Sequence, residues 1–223
     1  MPVNASSLSD ATTFEADLLA FINAQNEAWV AAARRLGPRV IVGLLEWSGR
    51  ETQAYFESLD PLAPAAIGVS WAGESQSANW FDLAREYTER WHHQAQIREA
   101  AGAPMLYESD LFAPLIDTFV RALPHTFRGA DAPERTHVAV AVTFPGVGAR
   151  AAPLRYALVR EAGGWGLYQP LDAAAAAAVT IDGDVAWRLF TKGIPRAEAM
   201  ARSALEGDRR LAERVFDTVS IIA

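Results

Sequence analysis

Thr136–Phe144 reads THVAVAVTF, and its strict alternation of apolar and polar or small residues is the period of a half-buried β-strand. This stretch decides the fold class, because the regular elements before it all read as helices. Working downstream, PGVGARAA forms a turn, and Pro153–Glu161 predicts a second strand. Gly163–Gly164 supplies a tight turn, and Trp165–Pro170 a third strand, closing a hairpin with the second. The alanines from Ala173 to Ala178 favour helix, but VTID follows at once, so a strand is expected over Ala177–Ile181. Asp182 or Asp184 then caps a helix through Phe190, with further helices over Pro195–Ala204 and Asp208–Val219. A small antiparallel sheet backed by helices is an α+β arrangement.

Upstream, the period changes to that of helices. Met1–Ala11 is small and polar and reads as a flexible arm over residues 1–12. Thr12 and Glu15 have capping-box spacing, and Phe14, Leu18, Phe21, Ile22, Trp29 and Leu36 recur at helical intervals over Thr13–Leu36. Gly37 reads as a C-terminal stop and Pro38 as the first turn of a second helix, Pro38–Leu59. Within it, Gly43 and Gly49 suggest close helix contact. Asp60–Ala78, rich in Pro, Gly and Ser, reads as a long connector. Its Trp71 either closes over a pocket or pins the loop. A third helix spans Asn79–Ala101, with Asn79 as candidate N-cap, and a fourth Ser109–Phe127, kinked at Pro114 and ended early at Pro124. The expected domains are a helical bundle over 13–130 and an α+β domain over 131–223.

Composition narrows the function. The chain has 223 residues, 51% of them hydrophobic, enough for a packed core. A net charge of −7 with scattered basic residues argues against nucleic acid and anionic membrane surfaces as partners. No apolar run approaches the ~20 residues of a transmembrane helix. A signal peptide is not legible, so a cytoplasmic location is expected. There is no cysteine, so any metal must be held by His, Asp, Glu or water, and a catalytic thiol must come from outside.

The chemistry concentrates in the third helix, NWFDLAREYTERWHHQAQIREAA. Glu89 and His93 are one helical turn apart, and Glu86 lies on the same face two turns before His93. That spacing suits either a divalent cation or a charge-assisted surface pair. His92, at i+3 from Glu89, is a further candidate. Two protein ligands hold a cation weakly, and catalytic sites normally use three. His125 and His137 read as surface, interdomain or strand-end histidines. PGVGAR lacks the lysine and following helix of a phosphate loop, and no nucleophile elbow is present.

The segment AREYTERWHHQAQIREA, together with AWVAAARRLGPRVIVGLLEW, AYFESLDPLAP, GVSWAGE, TFVRALPHTFR, AWRLFTKG and EGDRRLAE, resembles actinobacterial proteins related to mycothiol-dependent maleylpyruvate isomerase, within the broader DinB-like family. The matches span most of residues 18–215. The resemblance implies a DinB-like helical bundle followed by a sterol-carrier-like α+β domain. It implies a divalent metal, usually zinc, with Glu89 and His93 as two of its ligands. It implies mycothiol as thiol cofactor and a small electrophilic substrate for isomerisation or thiol transfer. The family's first metal histidine, in a stretch like V-x-x-H-L, has no counterpart here, since the first 91 residues contain no histidine. The opening helices are therefore expected to be missing, through a misplaced start or a shortened paralogue. An incomplete metal site and self-association through an exposed bundle face follow as expectations. The alternative is a non-catalytic binding module. Its C-terminal domain, marked by Trp165, Tyr168 and Trp187, would take an apolar ligand or a protein partner.

Overall fold

The structure is a computed structural model that describes residues 20–146 and 151–221. The chain divides into two compact units, the first reaching Leu59 and the second spanning Asp60–Ile221. The division thus falls at the start of the connector, whereas the sequence placed it near residue 130.

In the first unit, residues 20–33 are helical (α1) and a second helix, α2, spans Pro38–Glu57. Pro38 opens α2, where its missing N–H is of no consequence. Gly37 is the N-cap of α2 in extended conformation, not the left-handed stop of α1. A Cβ at Gly43 or Gly49 would meet nothing within 4 Å, so neither marks a close helix approach. No residue of α2 is buried. The capping box at Thr12 and Glu15 lies outside the described residues.

The second unit begins with the connector, which closes on itself. Asn79 donates from its side-chain amide to the Asp60 carbonyl (2.8 Å) and from its backbone to Ala63 (2.9 Å). Asn79 is therefore the clasp of the loop, and Ala78 takes the N-cap position the sequence gave to Asn79. A 3-10 turn at Ser70–Ala72 carries Trp71, which is buried edge-on against Phe81 (5.7 Å). Helix α3, Asn79–Ala100, buries Phe81, Thr88, Trp91 and Ala95, one stripe at helical spacing.

The expected fourth helix is broken. Helix α4 spans Ser109–Phe119, a 3-10 step covers Val120–Ala122, and α5 spans Leu123–Phe127. Pro124 explains the break: it has no N–H to offer the carbonyl four residues back, so the chain tightens and restarts with proline in the first turn.

Five strands form one sheet in the order β3-β2-β1-β4-β5. They are β1 His137–Thr143, β2 Leu154–Glu161, β3 Gly164–Tyr168, β4 Ala177–Asp182 and β5 Ala204–Gly207. The sheet is mixed, not antiparallel throughout, because β4 returns to the far edge of β1 and runs parallel to it. The alternation seen in the sequence sets its inner face. Val138, Val140 and Val142 register with Leu158, Tyr156 and Leu154 on β2, and with Ala177, Val179 and Ile181 on β4.

Helices α4 and α5 pack on that face together with α6 (Gly183–Phe190), α7 (Arg196–Ala201) and α8 (Arg209–Arg214). Phe112, Phe119, Phe127, Phe190 and Phe216 are fully buried in one shared core. Each contributes roughly 1.5–3 kcal/mol by leaving water, which is why α3–α5 belong to the sheet unit. Asp182, one of the two caps the sequence allows, caps α6 by accepting from the Asp184 N–H (3.0 Å), and Asp208 caps α8 in the same manner. Strand β5 is not among the strands the sequence predicts: only Ala204 falls in an expected helix, residues 205–207 lie between two helices, and four residues are too few to display alternation. No helix among the described residues is long and apolar enough to cross a membrane.

Candidate functional site

Helix α3 brings Glu89 and His93 together as the spacing requires. His93 Nε2 lies 3.8 Å from Glu89 Oε2, with His93 two-thirds exposed. His93 Nδ1 faces Gln96 Oε1 at 2.9 Å, and the Gln96 amide nitrogen lies 3.3 Å from His92 Nε2. His92 stacks on His93 and leans on Trp187, at 5.6 and 5.9 Å between ring centres. Burial, then the neighbouring His93, lowers the pKa of His92, so it favours the neutral ring. Glu86 turns away to pair with Arg90 at 3.0 Å. Among the described residues, no group of three or more His, Cys, Asp or Glu side chains gathers to hold a metal. The residues present supply two donors toward zinc where a catalytic centre takes three plus water. They do not fit a complete centre.

Beside this pair lies a polar joint between helices. Asp184 Oδ1 accepts from the Tyr107 hydroxyl (2.6 Å), from Arg188 Nε (3.0 Å) and from Trp187 Nε1 (3.3 Å). Arg188 also reaches Glu99 at the end of α3 (3.0 Å). Burial alone would raise the Asp184 carboxyl, but the bond from Tyr107 and the charge of Arg188 hold it below the usual range. Tyr107 is pushed up, chiefly by burial and by its bond to Asp184, so its hydroxyl remains a donor. Asp184, Tyr107, Trp187 and Arg188 satisfy one another, the mark of a structural fastening, while Nε1 of Trp91, whose ring packs beside Trp187 and Tyr107, is buried without a hydrogen-bond partner among the described residues.

Several concavities of the second unit lie elsewhere, and one of them combines aromatic and charged walls. A cleft of about 490 Å³ opens between the start of α3, the outer face of α4 and the β2–β3 hairpin. Trp80, Phe81, Tyr156, Leu167 and Tyr168 form its apolar walls. Glu74, Asp117 and Arg121 supply its charge. Asp117, near the end of α4, and Arg121, in the 3-10 step that follows it, are four residues apart and pair at 3.2 Å. The Arg121 guanidinium also lies 4.8 Å from the centre of the Trp80 ring, and Trp80 stacks on Phe81 at 5.1 Å. Tyr156 is almost fully buried. Burial first, and Asp117 second, raise its pKa while Arg121 opposes, so its hydroxyl is protonated at neutral pH. Tyr168 donates to Glu161, and its ring lies over Gly166, where a Cβ would come within 2.7 Å of it. A side chain at 166 would displace it.

Sequence reasoning found only part of this. Of the three aromatics proposed for ligand binding, Tyr168 lines the cleft. Trp165 is buried edge-on against Phe127 and donates to the Ala130 carbonyl (3.0 Å), and Trp187 is buried in the Asp184 joint. Trp71 packs beneath the loop. Trp80, Tyr156, Asp117 and Arg121 were not singled out. The one available signal was the Asp117–Arg121 spacing, on the side of α4 opposite Leu115, Ile116 and Phe119.

No protein-family profile matches the chain, and comparison with curated proteins found no match. Among solved structures, sterol carrier protein 2 like 2 of Aedes aegypti aligns over 50% of this chain and 100% of its own, at 11% identity and a TM-score of 0.38. The sterol carrier protein domain 2 of Helicoverpa armigera aligns over 37% of this chain and 65% of its own, at 15% identity and a TM-score of 0.29. A ubiquinone synthesis protein, UbiJ-SCP2, aligns over 48% of this chain and 96% of its own, at 16% identity and a TM-score of 0.30. These are distant, partial likenesses of fold and bear on neither the ligand nor the activity of this chain. The chain itself is a mixed α+β protein with a five-stranded sheet.

Proposed function

We propose that residues 60–221 act as a non-catalytic binding module for an amphipathic ligand. Its apolar body lies against Trp80, Leu167 and Tyr168, and its polar end meets Asp117 and Arg121. The observation that carries this is the cleft of about 490 Å³, walled by aromatic rings and charged on one side. Its size falls in the range of small-molecule sites, and a mostly apolar wall with a few placed polar groups is the usual composition of such sites. The polar groups support binding over chemistry. Asp117 is paired with Arg121, Tyr168 with Glu161, and Tyr156 is held protonated. None of them is poised as a nucleophile or general base.

The test uses dansyl-undecanoic acid. Each methylene removed from water contributes about 0.8 kcal/mol, so an undecanoyl chain has enough apolar surface to bind after the ordering cost of association. Saturable fluorescence enhancement is expected, weakened about tenfold by Trp80→Ala and by Tyr168→Ala. Absence of saturation, or affinity indifferent to both changes in folded protein, would remove the proposal.

A further inference from the structure

A second concavity, of about 290 Å³, lies on the other side of the connector and has a different chemistry. The loop that gives Ala72 and Glu74 to the aromatic cleft gives Trp71 to this pocket. Arg128, just beyond α5, and Arg214, the last residue of α8, also line it. Both arginines are anchored by main-chain oxygens. Arg128 Nη1 donates to the His125 carbonyl (2.8 Å) and Arg214 Nε to the Thr126 carbonyl (3.0 Å). Among the described residues, neither guanidinium has a carboxylate within ion-pair distance, unlike Arg85, Arg90, Arg121 and Arg188. One carboxylate, Asp217, does line the pocket, but it pairs with Arg196 at 2.8 Å. The lining therefore carries two arginines against one carboxylate that already has a cationic partner.

We infer that this pocket binds a phosphate-type oxyanion. A guanidinium carries five N–H donors in a fixed planar fork. Each anchoring bond uses one and fixes the group, leaving donors for a ligand oxygen. Two anchored forks from separate elements suit an anion with several equivalent oxygens, to which charge-assisted bonds are the strong ones. Trp71 offers an apolar wall to whatever the anion carries. This site is independent of the aromatic cleft and does not rest on the proposed function.

The experiment is calorimetric titration of the whole chain with inorganic phosphate and with phenyl phosphate, at low ionic strength. Saturable binding of at least one probe is expected. Arg128→Gln and Arg214→Gln are each expected to weaken it about tenfold, the effect of losing a charge-assisted bond. Arg90→Gln, which alters an exposed arginine on α3 outside the pocket, leaves it unchanged. Arg214 ties α8 to α5, so its replacement risks the fold. The bond from Arg128 stays within its own helix end, so Arg128→Gln keeps the test decisive. No binding of either probe, equal loss in Arg90→Gln, or full affinity in folded Arg128→Gln overturns the inference.

Discussion

Replacing Asp184 by alanine removes the acceptor shared by Tyr107, Trp187 and Arg188, and the 3.6 Å contact to Arg202. A hydrogen bond to a charged group contributes about 1.5–3 kcal/mol. Three of them converge on one oxygen of a side chain that is 23% exposed, so they do not add fully. The loss is therefore set at about 3 kcal/mol, part of it the cost of leaving the Tyr107 hydroxyl without its acceptor. Arg188 keeps Glu99 and limits the damage. For a unit of this size, that lowers the melting temperature by about 6–12 °C. Urea unfolding followed by tryptophan fluorescence measures it.

The pH dependence has a definite sign. Despite its burial, the Asp184 carboxyl is held below its ordinary value by Tyr107 and Arg188, so its contribution is complete above the unfolded-state pKa of about 3.9. The contribution disappears as pH falls through the folded-state value. The stability gap between wild type and Asp184→Ala is expected to be constant above about pH 5 and to close on further acidification. A gap under about 0.5 kcal/mol at pH 7 would refute the fastening role, as would a gap that persists in acid.

Other expectations follow from single contacts. A Cβ at Gly183 would lie 2.6 Å from the Phe112 ring and 2.7 Å from the Thr143 carbonyl, so Gly183→Ala is expected to cost about 2–3 kcal/mol in the same unfolding assay. Phe112→Ala leaves a cavity beside Trp91, Tyr107 and Phe144 and is expected to cost about 3–5 kcal/mol. Gly166→Ala pushes Tyr168 from its seat, so the affinity for dansyl-undecanoic acid is expected to change more than the stability. With two donors in reach, zinc bound by Glu89 and His93 is expected to be weak and lost on gel filtration. Stoichiometric retention abolished by Glu89→Ala and by His93→Ala would restore a full metal centre.

Four of the five strands were legible because β1 alternates without a break and a glycine pair marks the β2–β3 hairpin, although the turn falls at Ala162–Gly163, one residue before the expected Gly163–Gly164, and β5 was not read. Asp182 and Pro38 were legible because capping and first-turn chemistry depend on near neighbours alone. The parallel return of β4 was not, since strand direction depends on where a chain crosses. The assignment of α4 and α5 to the sheet was not legible either, because Leu115, Phe119 and Phe127 look alike whether they face helices or strands. The same reason hid the cleft. Trp80 and Phe81 are adjacent in sequence, yet Phe81 enters the core while Trp80 remains 39% exposed beneath Arg121. Only the packing of α3 against α4 decides which of these two aromatic rings is wall and which is core. Glu89 and His93 were placed correctly on one face, but spacing along one helix carries no information about a third ligand.

The most direct test is a backbone amide shift map of the whole chain titrated with undecanoic acid. Saturable shifts are expected at Trp80, Phe81, Arg121 and Leu167–Gln169, with α2 unaffected. Shifts centred on α2, on Glu89 and His93, or on no contiguous surface would contradict the proposed binding.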